Sequence, residues 1–183
     1  MSRHLNIFFI ATALILLQGC STTFTKGSDR RTEGIYIEDD NIESVSLQRI
    51  KKKYSEKIHI NVNSYNRKVL VTGEVPDETI KNDITRIVGT VQNVTQINNE
   101  LTLGPQSSFS TRSSDSITTS NVKLRLRNTD KEFFRPDRVK VVTEKDVVYL
   151  MGLVTHAEGD LATEVARTSS GVKKVVPYYE YID

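Results

Sequence analysis

Cys20 carries the most distinctive chemistry in this chain. It is the only cysteine among 183 residues, so the chain has no second thiol with which it could form a disulfide. It directly follows Gly19, at the end of an apolar run over residues 7–17 that only Thr12 interrupts. A thiol without a disulfide partner is a nucleophile that can be modified covalently. The run is about a dozen residues long, too short for a bilayer core of roughly 30 Å, and it therefore predicts a signal peptide.

The stretch Leu17-Gln18-Gly19-Cys20 resembles the lipobox of bacterial lipoproteins. The resemblance implies that residues 1–19 are a signal peptide and that Cys20 becomes the lipid-modified, palmitoylated N-terminus of a lipidated tether over residues 20–39. Each buried methylene contributes about 0.8 kcal/mol, so several acyl chains make an effectively permanent anchor. In such lipoproteins, Asp directly after the cysteine retains the protein in the inner membrane. This chain has Ser21 there, so the resemblance implies an outer-membrane location on the periplasmic face.

Other chemistry-bearing residues are sparse and scattered. The three histidines, His4, His59 and His156, show no Cys/His metal spacing, and no P-loop, G-x-S-x-G or dinucleotide fingerprint occurs. The acidic pairs at residues 39–40 and 77–78 lie at predicted helix starts, where the helix dipole already favours them. We therefore expect no catalytic residue, no metal and no cofactor, and a protein that is not an enzyme.

One local charge imbalance suggests a binding surface. Between residues 123 and 140 seven basic residues stand against three acidic ones, in a chain whose net charge is only +2. Such a patch suits an anionic partner. Alternatively, these basic residues form an ordinary solvent-exposed face that binds no partner. The basic residues are Lys123, Arg125, Arg127, Lys131, Arg135, Arg138 and Lys140.

The elements that must position these residues come from an internal repeat. Val69-Leu70-Val71-Thr72-Gly73 aligns with Val148-Tyr149-Leu150-Met151-Gly152 at an offset of 79 residues. Hydrophobic periods predict a helix, a hairpin, a helix and a strand in each copy. In the first copy the helices are 40–54 and 77–89, the hairpin strands 59–64 and 68–75, and the last strand 94–103. In the second copy the helices are 115–130 and 155–167, the hairpin strands 138–143 and 147–154, and the last strand 172–182. Asp39 or Asp40, and Ser114 or Asp115, are the predicted helix caps, and Thr155-x-x-Glu158 predicts a capping box.

This order resembles the BON domain, and the chain as a whole resembles a dual-BON outer-membrane lipoprotein. The resemblance implies an α+β fold of two tandem α-β-β-α-β domains, each with a small mixed three-stranded sheet packed on two helices. The expected domains are residues 40–103 and 115–183. The Ser-rich tract 104–114 is the predicted linker and the expected first site of proteolysis. The two glycines, Gly73 and Gly152, are expected where neighbouring backbone approaches closely.

The first helix of the second copy has two apolar faces. Val122 and Leu126 point toward the predicted core, whereas Ile117 and Leu124 point the opposite way, beside Lys123 and Arg127. Such a face is typical of an interfacial helix, although isolated exposed apolar residues are also common. The candidate phospholipid-binding residues are Ser114, Asp115, Ile117, Asn121, Lys123, Leu124 and Arg127.

The family resemblance implies binding of anionic phospholipids such as phosphatidylglycerol and cardiolipin. We expect the second domain to bind the lipid, the first to act as a scaffold, and the protein to support envelope integrity. An adaptor that docks envelope or outer-membrane assembly proteins is the alternative. Nucleic acid is not an expected partner, because membranes separate it from an exported, lipid-anchored protein.

The lipid anchor is testable by fractionation. Cys20→Ala removes the thiol that the lipid would modify, so this variant should move from the membrane to the soluble periplasmic fraction. Ser21→Ala, which keeps the thiol, is the matched control and should stay with the membrane. Retention of Cys20→Ala in the membrane fraction after a salt wash would show that the anchor assignment is wrong.

Overall fold

The computed structural model describes residues 29–54 and 58–183, so Cys20 and the predicted signal peptide lie outside the described residues. Two α-β-β-α-β units follow each other, here called the first and second domain. The first contains α1 (Glu33–Tyr54), β1 (His59–Tyr65), β2 (Lys68–Val75), α2 (Glu78–Gly89), β3 (Gln96–Asn99) and β4 (Thr102–Leu103). The second contains α3 (Phe109–Arg127), β5 (Val139–Glu144), β6 (Val147–Val154), α4 (His156–Arg167) and β7 (Lys174–Tyr181). The predicted α+β class is confirmed.

Both sheets are mixed and share one topology. Each hairpin is antiparallel, and the last strand of each unit pairs in parallel with the second, after a crossover through α2 or α4. The single last strand predicted over 94–103 is instead β3 and β4, so the first sheet has four strands. The break lies at Glu100 and Leu101, because Leu101 turns into the first core while the Glu100 carboxylate accepts the Tyr178 hydroxyl of the second domain. Among the described residues, no helix combines the length and apolar character needed to cross a bilayer.

Two helices begin earlier than predicted. Helix α1 starts at Glu33 rather than Asp40, and α3 starts at Phe109 rather than at Ser114 or Asp115. Residues 33–39 of the predicted tether and 109–114 of the predicted linker are therefore helical. Ser108 is the actual cap of α3, since its Oγ accepts the Thr111 N–H at 3.1 Å. Asp77, at a predicted helix start, caps α2, and the predicted capping box of Thr155 and Glu158 is confirmed.

Asp39 and Asp115, predicted as helix caps, instead hold the hairpin turns. The buried Asp39 carboxylate accepts the N–H groups of Asn66 at 2.8 Å and Arg67 at 2.7 Å. Both turn residues have positive φ, as a two-residue hairpin loop requires. The second domain repeats the arrangement with Asp115, Lys145 and Asp146, at 3.0 and 2.9 Å. One carboxylate in each copy thus ties the first helix to the hairpin turn.

Each domain has its own core, and a third apolar cluster joins the two domains. Side chains alternate along β2 and β6, so that Val71 and Leu150 face the helices while Leu70 and Met151 face the opposite sheet. Tyr65 and Tyr149 complete the buried part of this inter-domain cluster. The two domains therefore pack sheet against sheet, and each strand pair is covered on both faces.

The connection between the two domains is short and contacts the first domain. With α3 starting at Phe109, only a short connection remains after β4, and the Ser107 N–H donates to Glu74 Oε2 at 2.9 Å. The hydroxyl of Tyr65 crosses between the domains to the Arg138 carbonyl at 3.3 Å, and Lys68 pairs with Glu180 at 2.9 Å. Residues 105, 106 and 108–110 are exposed, and early cleavage between residues 104 and 114 stays a prediction.

The end of the predicted tether also packs onto both domains. Arg30 donates to Glu158 Oε2 at 2.6 Å and to the Leu153 carbonyl at 2.9 Å, both in the second domain. Arg31 bonds Asp39 at 2.8 Å and lies over the Tyr65 ring at 3.9 Å, both in the first. Residues 30 and 31 therefore link the two domains.

Gly73 and Gly152 confirm the predicted close approach of neighbouring backbone. A Cβ at Gly73 would lie 2.0 Å from the His59 carbonyl oxygen, and one at Gly152 would lie 2.6 Å from that of Arg138. Gly73 also has a φ of +124°. The glycine in each copy therefore lets the two hairpin strands pair closely, because a side chain at this position would collide with the backbone of the neighbouring strand.

Gly73→Ala should lower the free energy of unfolding by about 2 kcal/mol or more, because the added Cβ meets backbone atoms and adds left-handed strain. Gly104→Ala is the control: its φ is also positive, at +143°, but nothing lies within 4 Å of its Cβ position. Urea unfolding measures both variants. Equal losses would mean that strain alone, not the close approach, requires glycine at position 73.

Glu158 should make stability depend on pH in the acid range. Burial by itself raises its pKa, but hydrogen bonds from Arg30, the Thr155 N–H and Arg138 hold the pKa at about 2, against an ordinary 4.5. A depressed carboxyl pKa contributes stability above the unfolded-state value, here about 3 kcal/mol, which is lost as the pH falls from about 4.5 toward 2.

Glu158→Gln should therefore be less stable than wild type at pH 7 and lose less stability on acidification. Glu164→Gln is the control on the same helix, since Glu164 is exposed and pairs with Arg167 at the surface. Urea titrations at several pH values measure the difference. Parallel profiles for wild type and Glu158→Gln would exclude this linkage.

Candidate functional site

Helix α3 holds the candidate lipid-binding residues, and its inner face is fixed by the second core. Val122 and Leu126 are buried there, as the sequence predicted. Arg125 holds the helix against α4, because its guanidinium donates to the Ser169 and Thr168 hydroxyls at 3.0 Å each. These contacts leave the opposite side of α3 facing solvent.

The outer face of α3 carries three exposed apolar side chains. Ile117 is 62% exposed and Leu124 is 53% exposed, which confirms that both point away from the core. Phe109, 79% exposed, was missed because it fell in the predicted linker. Its spacing of 8 and 15 residues from Ile117 and Leu124 puts it on the same side of a helix and was the available signal. Together these three form an apolar stripe along about four turns of α3.

Two cations flank this stripe. Lys123 and Arg127 are exposed, and neither forms an ion pair or hydrogen bond with another described residue. Their charges are therefore available to an anionic group in solution. When Lys123 or Arg127 contacts an anion, the main free-energy cost is the loss of solvating water, because neither side chain has to break an ion pair within the described residues.

The basic run over residues 123–140 is not a single surface. Arg125 binds the end of α4, Arg138 pairs with the buried Glu158, and Lys140 pairs with Glu43 of the first domain. Arg135 donates to the carbonyls of Glu132 and Phe134. Much of the local charge excess therefore serves internal contacts.

The remaining candidate residues divide by burial. Ser114 is exposed and Asn121 is half-buried, so both can border the outer face. Asp115 is only 5% exposed, and both of its carboxylate oxygens accept turn N–H groups. An anion that approached it would meet a like charge with no free donor. We therefore leave Asp115 out of the binding face.

A second cluster of chemically active side chains lies at the junction of the domains. His59 Nδ1 lies 3.1 Å from Glu74 Oε2 and 3.7 Å from Glu144 Oε1. Burial raises the pKa of the Glu144 carboxyl above its usual range. Burial alone would do the same at Glu74, but hydrogen bonds from Lys145 and the Ser107 N–H lower its pKa. The sequence did not indicate this cluster, because its members come from β1, β2 and β5.

Comparison with known proteins places both units in one family. The family profile of the BON domain matches residues 38–105 and 114–179. The chain is 34% identical over 181 residues to the outer membrane lipoprotein DolP of Haemophilus influenzae, covering 93% of each chain. It is 31% identical over 160 residues to a protein named 21 kDa hemolysin of Actinobacillus pleuropneumoniae, covering 86% of this chain and 81% of that one.

Proposed function

The chain belongs to the BON-domain family, with two copies in tandem, and on this premise we propose that it is a periplasm-facing outer-membrane lipoprotein that binds anionic phospholipid. The second domain makes the contact, through the outer face of α3. The protein supports envelope integrity by holding this face at the membrane to which Cys20 anchors it. It acts by binding, without catalysis.

One observation carries the lipid assignment: α3 presents an apolar stripe and unpaired cations on the same side. Phe109, Ile117 and Leu124 can insert at the boundary between headgroups and acyl chains, while Lys123 and Arg127 reach phosphates. This combination is the physical requirement for a helix that lies in the membrane interface. Each cation near an anionic surface contributes about 1 kcal/mol.

The location is supported by two independent features. The lipobox ending at Cys20 provides the acylation site, and the relative in Haemophilus influenzae is named an outer membrane lipoprotein. An anchored chain faces a high local concentration of headgroups, so a weak helix contact suffices for stable binding.

A protein-interaction adaptor is the second candidate, and α1 favours it. Tyr36 and Ile37 are 47% and 54% exposed, and Ile37 lines a cavity of about 460 Å³ between α1 and residues 91–93. Envelope assembly proteins are the partners this reading implies. The apolar residues of α1 are surrounded by carboxylates such as Glu33, Glu38 and Asp40, which disfavour an anionic bilayer and favour a protein.

Vesicle binding tests the lipid assignment. The unacylated chain over residues 21–183 should sediment with vesicles containing phosphatidylglycerol or cardiolipin, and added salt should weaken the binding by screening. Leu124→Glu should abolish it without unfolding the domain, because Val122 and Leu126 hold the core. Lys123→Glu with Arg127→Glu should cost about tenfold or more in affinity.

Two matched controls come from the first domain. Ile37→Glu changes an apolar residue with nearly the same exposure as Leu124, and Lys51→Glu with Lys52→Glu reverses two exposed charges on α1. Neither should change vesicle binding by more than about twofold. Equal binding by wild type and Leu124→Glu at matched thermal stability would reject the α3 contact and favour the adaptor.

A further inference from the structure

Three side chains from two domains converge at the inter-domain junction. His59 lies at the start of β1, Glu74 lies near the end of β2, and Glu144 ends β5 of the second domain. One ligand atom from each lies within 4.8 Å of the other two. The side chain of His59 is 16% exposed, and those of Glu74 and Glu144 are 0% and 6% exposed. The cluster is thus buried, with the imidazole at its solvent edge.

The distances fit a small tetrahedral cation. In a zinc site with metal–ligand bonds of about 2.1 Å, ligand atoms are about 3.4 Å apart. The separations of 3.1 Å and 3.7 Å from His59 Nδ1 to the two carboxylates bracket that value. Imidazole nitrogen with two carboxylate oxygens is a ligand set that Zn²⁺ accepts, with a water in the fourth position.

An independent observation shows that the cluster is incomplete. Among the described residues, no donor forms a well-aligned hydrogen bond with the buried Glu144 Oε1, although the Thr72 hydroxyl lies near this carboxylate and the other oxygen accepts Asn61 Nδ2 at 3.0 Å. Buried carboxylate oxygens without a donor are costly, and a cation is one way to satisfy them. The unsatisfied oxygen is the one that faces His59.

The groups around the three side chains would orient them as ligands. Asn61 holds Glu144, and the Ser107 N–H holds Glu74 at 2.9 Å. Such outer hydrogen bonds are typical of metal sites, because they fix the direction of the ligand lone pairs. A cavity of about 200 Å³ borders His59, Asn61 and Glu144 and provides room for the water ligand.

We propose that His59, Glu74 and Glu144 form a divalent-cation site of the Zn²⁺ type between the two BON domains. Lys145 now serves as countercharge to Glu74 at 2.9 Å, and its side chain is 40% exposed, so it can turn into solvent when the cation binds. Bound cation joins β1 and β2 to β5 and therefore strengthens the contact between domains.

Calorimetric titration with zinc chloride tests the site. The chain over residues 21–183, which lacks Cys20 and His4, should bind one Zn²⁺ in a chelator-free buffer, and its unfolding temperature should rise with the metal. His59→Gln and Glu144→Gln should each bind at least tenfold more weakly. Lys145→Met should bind several-fold more tightly, because it removes the competing cation.

His156→Gln is the matched control, since His156 is exposed and pairs with Asp183 at 2.8 Å. It should bind zinc as wild type does. Glu144→Gln keeps the side-chain shape and removes a buried charge, so unfolding in chelator should show it folded. Absence of zinc binding by wild type, or undiminished binding by His59→Gln and Glu144→Gln, would overturn the proposal.

Discussion

The sheet-to-sheet contact between the two domains is the constraint on which the rest of the structure depends. Each small sheet has its own helices on one face, but Leu70 on one sheet and Tyr149 and Met151 on the other would remain exposed in separate domains. Burial of such side chains is the main source of stability available to units this small. The two sheets cover each other, and the described helices lie on the outside. The outer faces of these helices are therefore available to a partner.

The same repeat unit has acquired two different outer surfaces. The hairpin-holding aspartates, Asp39 and Asp115, keep the architecture alike in both copies. Helix α1 has carboxylates along its first turns, whereas Asp115 is the only acidic residue in α3 and is buried. An anionic surface would repel the start of α1 and attract the cations of α3. This difference in charge is the physical basis for assigning the two domains separate roles.

The contact between the two sheets also buries charged side chains at its edge. Glu74 and Glu144 would be ordinary solvated strand residues in isolated domains, but packing brings their carboxylates together beside His59. By contrast, the buried carboxylates of Glu158 and Asp39 form ion pairs with the guanidinium groups of Arg30 and Arg31. The junction therefore contains paired carboxylates and, at Glu144 Oε1, a buried carboxylate oxygen without a well-aligned donor among the described residues.

Elements with local signals could be predicted from the sequence. The hairpin strands, the Thr155 capping box and the two close-approach glycines all depend on residues near each other in the chain, and all were predicted. The outward direction of Ile117 and Leu124 followed from helical period alone. The turn-holding role of Asp39 and Asp115 and the internal pairing of much of the basic run depend instead on how the chain folds. Those features depend on partners from 20 to more than 100 residues away, and no local pattern records which distant strand or helix will supply the partner.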